Sequence, residues 1–156
     1  MKKILFVCTG NICRSPTAHA VARHLVAENN LEKELIFDSC GLSSYHVGEG
    51  IDSRSKVVLQ NNGIASDGIF ARQINKNDFD KFDLILAMDK GHLRDILQMV
   101  DEKNRHKIHL FLEFCGIENA WQNEVIDPYY LQDKKFDEVF LTIEKATKNL
   151  IKKCKN

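Results

Sequence analysis

Four short apolar runs, residues 3–7, 34–37, 84–87 and 108–112, alternate with stretches whose apolar residues recur at helical spacing. This alternation limits the possible folds more than any other feature of the chain. Runs of four or five residues, β-branched or Leu-rich, suit strands buried on both faces. Between them, residues 17–29 place Ala18, Val21, Ala22, Leu25 and Val26 on one helical face. Residues 53–62 and 90–100 also read as helices, the first closed by Gly63 just past its end. A last helix over 136–153 buries Phe136, Val139, Phe140, Ile143, Thr147, Leu150 and Ile151. Strands alternating with helices imply βαβ crossovers and a mostly parallel sheet, helices on both faces. Ligands of such sheets sit at the carboxyl ends of strands, beside a topological switch point.

The chain has 156 residues, 44% hydrophobic and 28% charged, which suits one domain with a sizeable core. Its 22 basic and 22 acidic residues balance, so bulk charge makes no case for nucleic acid or a membrane surface. Lys148, Lys152, Lys153 and Lys155 read as the solvated face of the last helix. The apolar run after Met1-Lys2-Lys3 ends at Thr9-Gly10-Asn11, short of the roughly 7–15 residues of a signal-peptide core. No run approaches the length of a membrane span. The expected location is therefore the cytoplasm, with five mostly reduced cysteines whose odd count and irregular spacing argue against a disulfide framework.

The first strand runs into CTGNICRSP, from Cys8 to Pro16. Gly10 and Asn11 tolerate left-handed backbone angles, so the chain can turn sharply there. Ser15 reads as an N-cap with Pro16 at the first helical position. The loop and helix-start N–H groups can then converge into a positive nest for an anion. Arg14 adds a planar fork able to grip two phosphate oxygens. Cys8 faces this nest, a setting that stabilises a thiolate. The Gly-Lys-Ser/Thr ending of a nucleotide-binding loop is missing, so a triphosphate is not the expected ligand.

The segment VCTGNICRSPTA resembles the signature of low-molecular-weight protein tyrosine phosphatases. The similarity extends through SxxxSSYHVGEGIDSR (39–54), ARQI (71–74), FDLILAMD (82–89) and DPYY (127–130). The resemblance implies one phosphatase domain over residues 1–156, with a four-stranded parallel sheet in order 2-1-3-4. It also implies phosphotyrosine hydrolysis through a phosphocysteine, without metal or other cofactor. By position, Cys8 matches the family's nucleophile, Arg14 its phosphate-gripping residue and Asp127 its general acid, later a base. Thr9, Gly10, Asn11, Ile12, Cys13 and Ser15 complete the phosphate loop. Asn11 and Ser39 match a buried polar network that supports the loop, and Ser15 the hydroxyl donating toward the Cys8 sulfur. Cys13 matches a second cysteine that can pair with the nucleophile under oxidation. Tyr45 and Tyr129 match aromatic walls, Ile12 would face the substrate ring, and Tyr130 would lie at the rim.

The implied partner is a phosphotyrosine-containing protein, with a tyrosine kinase as a candidate partner, and the chain is expected as a monomer or weak homodimer. Two departures stand out: Ile69 occupies the place where the family often has a histidine, and Cys40-Gly41-Leu42 replaces its usual pattern after Ser39. Cys40, Cys115 and Cys154 match no family role, and His19 and His24 read as helix-surface residues. Of the rivals sharing this loop, arsenate reductases need further redox cysteines, which FDLILAMDKGHL lacks. Arginine phosphatases typically carry threonine in place of Ile12 and DPF in place of DPYY. A non-catalytic phosphate-binding or thiol-redox module using Cys8 and Cys13 is the alternative from another class.

Overall fold

A computed structural model describes residues 1–119 and 121–155. Strand β1 (Lys2–Cys8) leads through the CTGNICR loop into helix α1 (Arg14–Glu28), then β2 (Leu35–Gly41) and α2 (Ser53–Asn61). Helix α3 (Lys76–Lys81), β3 (Leu84–Ala87), α4 (Lys90–Met99) and a 3-10 turn (Glu102–Lys107) follow. The chain closes with β4 (Ile108–Leu110), the one-turn α5 (Phe111–Phe114) and α6 (Lys134–Cys154). The four strands form one parallel sheet in the expected order, β2-β1-β3-β4.

Side-chain alternation along β1 sorts the core into two layers. Ile4 and Phe6 enter a cluster with α1, α2, α5 and α6, where Phe6 stacks on Phe37 at 5.7 Å and meets Phe111 edge-on at 5.3 Å. Leu5 and Val7 enter the other cluster, with Phe79 of α3 and Ile96 of α4. Because β1 has β2 on one side and β3 on the other, the loops leaving β1 and β3 open into the same crevice. That crevice holds CTGNICR and Asp89.

Some expected boundaries change. The run 108–112 divides: β4 stops at Leu110, and Phe111 and Leu112 turn into α5, where both stay buried. A short apolar run cannot by itself distinguish a strand from a buried helical turn. The six-residue α3 escaped the pattern, its signal being a capping box in which Asp78 accepts the Asn75 N–H at 2.9 Å. Gly63, at φ +71°, does end α2, its N–H bonding Gln60 and the next N–H reaching Leu59, as in a Schellman motif.

Helix α1 begins at Arg14, two residues before Pro16, the expected first helical position, with Cys13 as its N-cap. Ser15 is therefore not a cap and Pro16 is the third helical residue. Proline costs no hydrogen bond there, because the first four N–H groups of a helix have no intrahelical acceptor. The serine hydroxyl is left for the loop.

Candidate active site

Backbone bonding explains the shape of the CTGNICR loop. Three of its carbonyls are engaged by neighbouring segments: Cys8 O accepts Leu42 N–H at 3.0 Å, Thr9 O accepts Ser43 N–H at 2.9 Å, and Ile12 O accepts Asp52 N–H at 2.8 Å. Among the described residues, no acceptor in the protein takes the backbone N–H of Thr9 to Arg14. Those donors and the start of α1 make the positive nest that the spacing implies. Asn11 supplies the left-handed residue, at φ 57°. Gly10 does not; its lack of a side chain matters because a Cβ there would sit 2.9 Å from His46 Cδ2. Gly41 serves similarly, since a Cβ would fall 2.7 Å from Thr9 O.

The buried Asn11 amide ties the loop to its surroundings. It donates to Ser15 Oγ at 2.8 Å and accepts the Arg72 N–H at 3.0 Å. The Arg72 guanidinium in turn grips Asp38 and Asp78, anchoring this support to β2 and α3. Ser39 lies one step away: its hydroxyl meets His19 Nδ1 at 3.1 Å rather than Asn11. His19 is thus not a helix-surface residue, its side chain being 14% exposed. Ile69 is buried in the core, and the histidine near this network comes from α1.

Cys8 ends β1 with Sγ 3.0 Å from Ser15 Oγ, and that hydroxyl also lies 3.3 Å from Cys40 O. A thiol at Cys8 can donate to Ser15 while the hydroxyl donates to Cys40 O. A thiolate can only accept, so the hydroxyl proton must swing to sulfur. Cys13 is buried, and burial first, then the charges of Asp52 and Cys8, push its thiol up to about 12. Cys40, Cys115 and Cys154 are also buried free thiols, raised chiefly by burial.

Arg14 is 3% exposed and held from the far side of the crevice. Its Nη1 donates to Asp89 Oδ2 at 2.8 Å and to Val125 O at 3.0 Å. Asp89 caps α4, accepting the His92 N–H at 2.8 Å. Burial alone would raise the Asp89 carboxyl; the His92 backbone N–H, and the hydrogen bond and charge of Arg14, hold it below its ordinary value. An aspartate between a buried strand and a helix is an N-cap signal, but not one that reveals a grip on Arg14.

Asp127 reaches the same place on a loop secured at several points. Val125 N–H bonds Met88 O at 2.9 Å, and Arg54 Nη1 bonds Tyr129 O at 3.0 Å. The Arg54 guanidinium also lies 5.3 Å from the Tyr129 ring centroid and 4.4 Å from that of Phe136. Asp127 Oδ1 accepts the Tyr129 N–H at 3.1 Å, while Oδ2 faces Arg14 Nη2 at 3.6 Å. The turn bond and the approach to arginine thus use different oxygens of one carboxylate.

These groups line one cavity of about 420 Å³, with Cys8, Arg14, Ile12, Cys13 and Asp127 around Tyr45, His46, Tyr129 and Tyr130. Tyr129 is partly buried, whereas Tyr45 and Tyr130, 85% and 88% exposed, stand at the mouth. Asn11, Ser15 and Ser39 lie behind the loop and do not line the cavity. His46 went unnoticed in the sequence; its Nδ1 pairs with Glu49 and its ring packs edge-on to Tyr45 at 4.8 Å. Among the described residues no group of three or more His, Cys, Asp or Glu is placed to hold a metal ion. Nor is any described helix long and apolar enough to cross a membrane.

Two buried imidazoles near the site make stability depend on pH. Burial lowers His19 from 6.5 to about 4, assisted by the charges of Arg23 and Arg72 against the pull of Asp38. Burial and the Arg14 charge lower His92 from 6.5 to about 4 as well. Between those values the unfolded chain binds the extra protons, so stability rises with pH across the window. The full contribution is present above pH 6.5 and is lost as pH falls toward about 4. Each histidine is expected to contribute on the order of 1–3 kcal/mol, and Tm should drop by several degrees from pH 7 to pH 4.5. His19→Gln should flatten part of that slope; an unchanged Tm in wild type across the range would contradict the assignment.

A family model described as low molecular weight phosphotyrosine protein phosphatase matches residues 3–156. The chain is 37% identical to a low molecular weight protein-tyrosine-phosphatase of Bacillus subtilis, over 97% of this chain and 94% of that protein. A protein tyrosine phosphatase from Entamoeba histolytica, solved with Hepes in its active site, superposes with a TM-score of 0.91. Its identity is 38%, over 98% of this chain and 96% of that one. An arginine phosphatase from Drosophila superposes at a TM-score of 0.89 and 32% identity, over 100% and 99% of the two chains.

Proposed function

The chain belongs to the low molecular weight phosphotyrosine protein phosphatase family, and from that premise we propose that it hydrolyses phosphotyrosine in proteins through a phosphocysteine on Cys8. One observation carries the reading: Cys8, Arg14 and Asp127 border a single cavity, on a loop whose N–H groups have no protein acceptor among the described residues.

The phosphate dianion enters the nest, its oxygens taking loop N–H groups and the free N–H groups of Arg14. The Cys8 sulfur attacks phosphorus in line with the phenolic oxygen, forming the S–P bond as the P–O bond breaks. Charge on the three equatorial oxygens of a loose transition state meets donors already in place. Tyrosinate, with a pKa of about 10, leaves with a proton from Asp127. The resulting carboxylate then takes a proton from water as the water oxygen attacks phosphorus, and the S–P bond breaks. Ser15, 3.0 Å from the sulfur, donates its hydroxyl proton to the departing thiolate in a hydrogen bond. No metal or other cofactor enters these steps.

Ile12 and Tyr129 offer apolar surface to a flat phenyl ring, and Tyr45 closes over it from the mouth. A guanidinium on phosphorus would find only apolar surface at Ile12. The cell location we assign is the cytoplasm, which suits five buried free thiols, with a phosphotyrosine protein as substrate and a tyrosine kinase as a candidate partner. The working form is a monomer or a weak homodimer. Because an arginine phosphatase shares the fold, the deciding experiment compares a phosphotyrosine peptide with its phosphoarginine counterpart. The phosphotyrosine peptide should be turned over with kcat/KM at least ~10-fold higher. A preference for phosphoarginine would overturn the substrate assignment while leaving the cysteine chemistry in place.

A further inference from the structure

His92 is a buried residue in the first turn of α4, 4% exposed, and family membership alone gives it no task. Its Nε2 lies 2.7 Å from Thr9 Oγ1 and 3.4 Å from Arg14 Nη2. Arginine can only donate, so Nε2 must carry the lone pair and the ring proton must sit on Nδ1. That Nδ1 is 3.3 Å from Asp89 Oδ1 but makes no hydrogen bond, and among the described residues it is the buried side-chain N or O left without a partner. An unpaired buried donor is a cost that an apolar residue filling the same space would not carry. The ring therefore stabilises through its other nitrogen, or not at all.

We infer that His92 is a positioning residue for phosphate capture, its single Nε2 lone pair holding both the Thr9 hydroxyl and the Arg14 guanidinium in the orientation that receives an oxyanion. The inference rests on the phosphatase reading above. Arg14 has five N–H groups, and both on Nη1 are committed to Asp89 and Val125. His92 sets the rotation of the remaining edge, Nη2 and Nε, toward the cavity. Thr9 is exposed at the front of the loop, and the hydroxyl contact at 2.7 Å ties that front to the same ring. One imidazole thus sets the arginine and the loop relative to each other. The ring must be neutral to do so, and burial with the Arg14 charge keeps it neutral down to about pH 4. The charged groups around it are Arg14 from α1, Asp89 and Asp95 from α4 and its cap, and Asp127 from the loop before α6.

The test measures kcat and KM on p-nitrophenyl phosphate and the competitive Ki of inorganic phosphate, with Tm recorded for every variant. In His92→Leu, phosphate Ki should weaken and kcat/KM should fall, each by ~10-fold, the scale of one hydrogen bond to a charged group. His92→Gln, whose carbonyl oxygen can reach the position of Nε2, should recover most of both. Thr9→Val, which deletes only the hydroxyl at an exposed position, should reproduce part of the loss, and adding it to His92→Leu should cost little more. Wild-type phosphate affinity in His92→Leu or in Thr9→Val would overturn the inference. So would equal losses in His92→Leu and His92→Gln, which mark a packing role. If His92→Leu does not fold, Thr9→Val and His92→Gln still decide. Failure of the wild-type protein to turn over p-nitrophenyl phosphate would instead remove the phosphatase reading itself.

Discussion

Cys8→Ser is expected to abolish turnover of aryl phosphates, by roughly 10⁴-fold or more, the scale of removing a covalent nucleophile. The change replaces one sulfur at a buried position beside Ser15 Oγ. The loop is held by Asn11, by the Gly10 and Gly41 approaches and by its engaged carbonyls, none of which needs the sulfur. Phosphate should therefore still bind to the variant, and its far-ultraviolet dichroism should match wild type. A serine hydroxyl is mostly protonated at neutral pH and cannot replace a thiolate on phosphorus. The pair of results, binding kept and turnover lost, separates chemistry from folding. Residual turnover within about 10-fold of wild type would move the nucleophile elsewhere, because that gap is only about 1.4 kcal/mol of barrier.

Asp127→Ala should cut turnover of a phosphotyrosine peptide by ~10²–10⁴-fold, the range for a positioned acid and base. The loss should depend on the leaving group. A phenol with electron-withdrawing substituents departs without help, so the first step on p-nitrophenyl phosphate should be nearly spared. The second step still needs the carboxylate to take a proton from water, so the phosphorylated enzyme should accumulate and an initial burst of nitrophenol should precede a slow steady state. The Asp127 oxygen that faces Arg14, at 3.6 Å, is not the one that accepts the Tyr129 N–H. Removing the side chain therefore also removes a turn bond, which makes Asp127→Asn the companion variant: it keeps the turn acceptor and loses the acid. Equal losses in both variants assign the effect to proton transfer. Loss in Asp127→Ala alone would assign it to loop position.

Much of the fold can be read from local pattern. Strand β1, the loop, α1 and α6 follow from periodicity and turn chemistry, because each is specified by residues close in sequence. What escaped was either short or tertiary. Helix α3 has six residues, too few for an apolar stripe, and the run 108–112 divided at Leu110 where burial, not propensity, decides. Ser15 resembled an N-cap because Ser-Pro is a common helix start, yet the helix already runs from Arg14 and the Thr17 N–H is taken by Cys13 O. His19 falls beside the apolar stripe of α1, and only its contact with Ser39 of β2 shows that it is covered. For the site, the spacing within the loop brought out Cys8 and Arg14, and the family resemblance brought out Asp127. The partners that hold Arg14 stayed hidden because the contact between Arg14 and Asp89 spans 75 residues of sequence. His46 and Arg54 lie inside the segment 39–54, but nothing in their spacing shows that one packs over Gly10 and the other clamps Tyr129.

The most direct measurement is mass spectrometry of the Asp127→Ala protein, quenched in acid during turnover of p-nitrophenyl phosphate and digested. One phosphoryl group should appear on the peptide containing Cys8, and it should be absent when Cys8→Ser is added. A phosphoryl group on any other residue, or a burst of nitrophenol with none on the protein, would contradict a mechanism through Cys8.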